Sequence, residues 1–359
     1  MRIGILPRCG ERKMTGINKV VQGSCQELLK IKGYNELFYI GNTWDMPVKL
    51  PEINCIVNSD ETNELDYLLS VYPLNVVHSF FPPFDFANKR CGKVITVHDL
   101  RPIVHPEWTM SGLKSCLDGP IRETAKKADI VVTVSEYSKK DIIEYYGISE
   151  DKIKVVYNGL YPEDKFSGEG KKISNDYIVK DNYILSVSAI DLNKNQNGLI
   201  ESFSVFKEKH KDCDIKLVLV GSIRDNGAIN EVMVKYPKAA KDIIFTGYVS
   251  EDELVWLYRN AYLFMYPSYF EGFGLPILEA MSVGNAVICS NTTSMPEVGG
   301  DAVQYCNPYD LESMVNSIEN VVFNETYRNE LKKKSVEQAS KFSYEKAAKE
   351  LMEIYKQFE

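Results

Sequence analysis

Twice along this chain, short apolar runs rich in β-branched residues alternate with amphipathic stretches, and a polar segment separates the two sets. βαβ units leave that alternation in a sequence, and it restricts the fold class to α/β, with parallel sheets flanked by helices. The first set of predicted strands comprises 2–7, 37–40, 76–80, 94–98, 130–135 and 153–157. The second comprises 183–188, 215–221, 243–248, 262–267, 286–290 and 302–305. Between them, 163–182 carries the polar run Ser167-Gly168-Glu169-Gly170-Lys171-Lys172. The expected organisation is therefore two Rossmann-like domains, 1–165 and 183–342, joined by a linker at 166–182. The last stretch, 343–359, sets Ala347, Ala348, Leu351, Ile354, Tyr355 and Phe358 on one helical stripe. A stripe of that width must dock, and the N-terminal domain is its expected surface.

With 359 residues, 44% hydrophobic and 26% charged, each half is long enough to bury a core of its own. The net charge of -8 gives no general attraction to nucleic acid or to an anionic membrane. No stretch approaches the roughly 18 apolar residues of a membrane span, and residues 1–8 lack the apolar core of a signal peptide, so a cytoplasmic location is expected. The eight cysteines stand singly without a C-x-x-C pair, which fits neither a zinc site nor a disulfide framework.

Chemistry concentrates in the segment 266–281, Tyr-Pro-Ser-Tyr-Phe-Glu-Gly-Phe-Gly-Leu-Pro-Ile-Leu-Glu-Ala-Met, where a predicted strand runs through a glycine turn into a helix. Gly272 and Gly274 allow close backbone approach to a ligand. With Pro276 as the first helical residue, the amides of Phe273, Gly274 and Leu275 face outward at a helix N-terminus, which suits a phosphate or a sugar hydroxyl. Glu279 can accept both hydroxyls of a ribose, and Glu271 those of a second sugar. An ordinary strand-to-helix turn is the competing reading. Two glutamates flanking Gly-Phe-Gly-Leu-Pro with seven residues between them are more specific than the glycines alone.

These residues resemble the E-x7-E motif of the retaining family 4 glycosyltransferases (glycosyl transferases group 1). The resemblance extends over Val97-His98-Asp99-Leu100, 128–138, Val155-Val156-Tyr157-Asn158-Gly159, 245–249 and 295–302, and is strongest to members that build bacterial surface polysaccharides. It implies the GT-B fold, two doubly wound sheets facing a central cleft. It also implies transfer of a hexosyl group from a UDP- or GDP-sugar to a saccharide or lipid-linked saccharide. Retention would follow front-face attack, with a donor phosphate oxygen taking the acceptor proton and neither metal nor cofactor required. A lipid-linked acceptor would bring the N-terminal domain into peripheral contact with the inner face of a membrane.

The resemblance assigns Glu271, Lys194 and His98 to the reacting centre, with Asp99 beside His98 on the acceptor side. Lys194 would neutralise the leaving diphosphate. The donor side adds Glu279, the Phe273–Leu275 amides, Gly16 in a glycine loop, Tyr248 and Val249 near the nucleobase, and Thr293 on a hydroxyl-rich loop. Two departures weaken phosphate neutralisation: Ser188 stands where many relatives have arginine, and Asn193 precedes the lysine where others have arginine. Lys19 or Arg8 would have to supply the missing charge. Asp212-Cys213-Asp214 matches D-x-D but leads straight into a predicted strand and is read as solvent-facing. The competing functions are a nucleotide-sugar or saccharide-binding protein with little turnover, and a nucleotide-sugar epimerase on the same architecture.

Overall fold

The computed structural model describes residues 1–6, 16–41, 54–57, 73–81, 91–108, 113–160, 182–188, 192–221 and 227–359. The chain divides into two compact units, Met1–Pro162 with Phe342–Glu359, and Glu163–Lys341. Of the expected linker, only Asn182 lies among the described residues. No helix among the described residues is long and apolar enough to cross a membrane.

In the N-terminal unit β1 (Arg2–Leu6), β2 (Glu36–Gly41), β3 (Asn54–Val57), β4 (Val76–Ser79), β5 (Gly92–Thr96), β6 (Ile130–Thr133) and β7 (Ile153–Val155) form one sheet in the order β3-β2-β1-β4-β5-β6-β7. In the second unit β8 (Tyr183–Val187), β9 (Lys216–Val220), β10 (Ile243–Gly247), β11 (Leu263–Tyr266), β12 (Val287–Ser290) and β13 (Gln304–Cys306) run β10-β9-β8-β11-β12-β13. Every pairing between these strands is parallel. In each sheet the strand order reverses beside the first strand, between β1 and β4 and between β8 and β11. Outside the C-terminal strand ends at such a switch point, an open α/β sheet leaves the crevice that takes ligands.

Alternation along the strands fills both faces. Ile3 and Ile5 enter one core with Val21, Leu28, Val76 and Val94, while Phe38, Ile40, Val77 and Ile95 enter the opposite one with Ile121 and Ile142. In the second unit Ile184, Leu217, Leu263 and Ile288 share a core with Leu199, Phe203 and Ile318. The helix Glu251–Asn260 starts at a capping box formed by Ser250 and Glu253, as its sequence predicts. The helix Tyr344–Tyr355, capped by Ser343, packs on Gly16–Ile31 and buries Ala347, Ala348, Leu351, Ile354 and Tyr355.

Three sequence expectations need correction. β3 is an additional strand: its apolar run is only three residues long and it lies at a sheet edge, so periodicity offered too little to count. β5 occupies Gly92–Thr96 rather than 94–98, because backbone pairing with β4 recruits Gly92 and Lys93 whatever their side chains. His98 therefore stands two residues beyond the strand. β13 starts at Gln304 rather than at Ala302, because Gly300, at φ 55°, ends the preceding helix and the turn occupies the next residues.

Candidate functional site

β11 delivers the glutamate-bearing turn to the C-terminal edge of the second sheet. The helix behind it spans Leu275–Ser282, so Pro276 is its second residue and not the first as expected. Gly274 caps it at φ 107°, in the region only glycine occupies without strain, and a Cβ there would also crowd Ile277. The helix amides fold back early: Ile277 and Leu278 both bond the Gly274 carbonyl, at 3.0 and 3.3 Å. Among the described residues, the Gly274 and Leu275 amides meet no acceptor, which leaves two donors at the positive end of a helix dipole.

Lys194 follows β8 and Glu271 follows β11, so the two side chains come from the loops on either side of the switch point. They form an ion pair at 2.7 Å, 21% and 12% exposed. Its acceptor atom is crowded with donors. Glu271 Oε1 also lies 2.9 Å from the Tyr266 hydroxyl and 2.8 Å from the Ser268 hydroxyl. Ser268 has one proton to share among Oε1 and the Asn193 and Phe270 carbonyls. Oε2 carries no hydrogen bond among the described residues, so the outer edge of the carboxylate is available to hydroxyl donors of a ligand. Two bonds to Asn193 fix the geometry: the Tyr269 amide donates to its carbonyl at 2.8 Å, and its side-chain Nδ2 donates to the Phe270 carbonyl at 3.1 Å.

Glu279 lies one turn into the helix and is 6% exposed. The Tyr258 hydroxyl donates to its Oε2 at 3.0 Å. Burial first, and then the nearby carboxylate, hold the Tyr258 phenol well above its usual range, so it stays a donor. Thr293 packs under Glu271: its Oγ1 accepts the Glu271 amide at 3.2 Å, and its φ of 54° is strained for a β-branched residue. Next to it, the Ser294 hydroxyl reaches the carbonyls of Glu271 and Phe273, each at 2.9 Å. The hydroxyl-rich loop is thus a brace for the glutamate turn.

Ser188, directly after β8, takes a hydrogen bond from Gln196 Nε2 at 2.5 Å. Tyr248 and Val249 follow β10 at the same sheet edge, with Tyr248 75% exposed. Gly16 opens the helix after β1 in the other unit, with Lys19 one turn on; Arg8 lies outside the described residues. His98 and Asp99 belong to that unit as well. The His98 ring is oriented by Phe80, whose carbonyl lies 2.9 Å from Nε2, and not by Asp99, which accepts the Arg101 amide at 3.0 Å. A carbonyl only accepts, so Nε2 carries the proton. Burial lowers the His98 pKa and keeps the ring neutral.

Sequence reading missed Tyr258, Tyr266 and Ser268 as partners of the glutamates. Tyr266 and Ser268 lie within the glycine-turn segment, and an i, i+5 and i, i+3 hydroxyl beside a glutamate was the only available signal. It also missed His78, fully buried between the Tyr355 hydroxyl at 2.6 Å and Thr96 Oγ1 at 2.8 Å, with its pKa lowered to about 3, mainly by burial. Among the described residues no three or more His, Cys, Asp or Glu side chains gather as metal ligands do.

Comparison with known proteins bears on the whole chain. Residues 171–338 match the family described as glycosyl transferases group 1, and 61–164 match glycosyltransferase family 4. The O-antigen chain mannosyltransferase B of Escherichia coli is 28% identical over 291 residues, 77% of this chain and 73% of that one. The serotype-specific mannosyltransferase WbdA of Escherichia coli is 30% identical over 263 residues, 71% of this chain but 32% of WbdA, so the match spans about a third of that protein's length. Among solved structures, Anabaena Alr3699/HepE in complex with UDP-glucose superposes with a TM-score of 0.73 at 16% identity, covering 99% of this chain and all of the other (100%).

Proposed function

This chain belongs to the glycosyl transferases group 1, with the GT-B architecture of two doubly wound sheets, and on that premise we propose that it moves a hexosyl group from a nucleoside-diphosphate sugar to a saccharide with retention at the anomeric carbon. The acceptor is a free or lipid-linked glycan in surface-polysaccharide synthesis, and mannose is the first sugar to test, since the relatives are named as mannosyltransferases. The carrying observation is the Lys194–Glu271 pair at the switch point of the second sheet, with two amides at the adjoining helix start that meet no acceptor among the described residues.

The donor's diphosphate accepts from the Gly274 and Leu275 amides and from Lys194, and Glu279 accepts from the ribose hydroxyls. Glu271 turns its unengaged Oε2 to the hydroxyls of the transferred sugar. As the glycosidic bond breaks, charge grows on the leaving phosphate oxygen, where preoriented donors stabilise the transition state by about 3 kcal/mol each. That oxygen takes the proton of the attacking hydroxyl, so no protein base is needed. In the N-terminal unit, neutral His98 with its proton on Nε2 offers Nδ1 as an acceptor to an acceptor-sugar hydroxyl.

A thermal-shift panel of UDP, GDP, ADP and CDP, followed by transfer assays with the matching labelled sugars, tests this reading. One nucleotide should stabilise the protein, and Glu279→Ala should remove that shift. No response to any nucleotide rejects the donor site. The second reading, a binding protein with little turnover, is favoured by Ser188 in place of an arginine and predicts a nucleotide shift without transfer.

A further inference from the structure

Beyond Lys194, the same edge of the second sheet carries an aromatic step. The Tyr269 and Tyr309 rings stack with centroids 4.7 Å apart and 24° between planes, and Tyr309 is 64% exposed. Neither is on a loose loop. Tyr269 is pinned by its amide to Asn193 and by the Thr292 hydroxyl on its carbonyl at 3.2 Å. The turn under Tyr309 is pinned by Asn195 Nδ2 on the Pro308 carbonyl at 2.9 Å, and by the Tyr309 amide on Asn307 Oδ1 at 3.1 Å. A large ring left mostly in water on a braced turn adds little to burial, whereas a rigid aromatic face loses little entropy when a ligand lands on it.

The next residue, Asp310, begins the lining of an open groove of about 530 Å³ that runs between β13 and the helix Leu311–Phe323. Glu312, Ser313, Asn316 and Asn320 continue it. The lining holds hydroxyl, amide and carboxylate groups and no lysine or arginine, so it repels a diphosphate and suits a neutral ligand rich in hydroxyls. Asp310 is already engaged as the cap of that helix, accepting the Glu312 amide at 3.0 Å, which argues against a cation site.

We infer that Tyr309 and the groove beyond it form a second saccharide-binding surface, on which the chain of the acceptor glycan lies with one pyranose face stacked on Tyr309. This rests on the glycosyltransferase reading above.

The test uses the full-length protein and two separate ligand classes. α-Linked mannotriose, maltotriose and chitotriose are titrated by saturation-transfer NMR, and UDP and GDP by thermal shift. Tyr309→Ala should weaken the trisaccharide that binds wild type about tenfold, and Tyr309→Trp should keep it within about threefold, with the nucleotide shift unchanged in both. Equal trisaccharide binding by wild type and Tyr309→Ala, absence of trisaccharide binding at millimolar concentration, or a loss confined to the nucleotide would each overturn the inference. Failure of the donor-site reading shows elsewhere, as the absence of any nucleotide shift in wild type.

Discussion

Lys194 and Glu271 neutralise each other across 2.7 Å, so a bound diphosphate has to compete for the ammonium. The competition is feasible because Tyr266 and Ser268 remain as donors on Oε1 once Lys194 turns away. Lys194→Ala should therefore cut transfer about a hundredfold, the scale of one lost transition-state donor. Initial rates with labelled donor measure it, and an unaltered kcat would remove Lys194 from the reaction. The spacing of Glu271 and Glu279 made both glutamates legible in the sequence. Tyr258, which donates to Glu279 from 21 residues upstream, was not legible, because hydrogen-bond partners brought together by packing leave no spacing. Asp141 was equally silent. It is 7% exposed, its Oδ2 has no partner among the described residues, and burial, with Glu144 and Asp99 nearby, lifts its pKa to about 7. The folded-state pKa of an acid raised from 3.8 to about 7 means that ionisation destabilises the fold increasingly between those values, by up to about 4 kcal/mol above pH 7. Asp141→Asn should match wild type in stability near pH 4 and exceed it progressively toward pH 8. Urea melts across that range decide, and a pH-independent difference would contradict the buried, unpaired carboxyl.

At the scale of elements, the last helix was legible from its apolar stripe, but its seat was set by glycines whose purpose no pattern reveals. Phe358 covers Gly92, the Tyr344 ring lies against Gly23, and the Ser343–Tyr344 backbone lies against Gly159. A flexible side chain can yield to an added methyl, while a backbone joined by the Leu160–Ser343 bridge cannot do so cheaply. Gly159→Ala should therefore destabilise the N-terminal unit by about 1–3 kcal/mol, the usual cost of overpacking. Gly119, inside the helix Leu113–Lys127, is the control: no atom beyond its chain neighbours lies near its Cβ position, but Pro120 follows it and crowds a helical side chain, which offsets the gain in helix propensity, so Gly119→Ala should change stability by less than about 1 kcal/mol. Melting of the two variants by circular dichroism checks the pair, and an equal loss in both would break the argument. β3 was missed because a three-residue apolar run carries almost no period, whereas the central strands, buried on both faces, read plainly.

For the whole molecule, the described hydrophobic clusters keep to their units: those around the first sheet draw on Met1–Pro162 and the C-terminal helix, and that around the second on Glu163–Lys341. Separate cores permit separate transitions, and every group proposed to hold the nucleotide, from Lys194 to Glu279, lies in the second unit. A nucleoside diphosphate at a hundred times its dissociation constant adds about 2.7 kcal/mol to the state that binds it. In a unit of this size that is a rise of roughly 5–10 °C in one transition. Calorimetry with the active nucleotide should move that transition alone, and Glu279→Ala should abolish the movement. Tyr183, whose hydroxyl bonds the Leu257 carbonyl inside the second core, provides the assignment: Tyr183→Phe should lower the midpoint of the same transition that the nucleotide raises. If the nucleotide raised the other transition instead, the binding groups would have to be sought around Gly16 and His98 in the N-terminal unit.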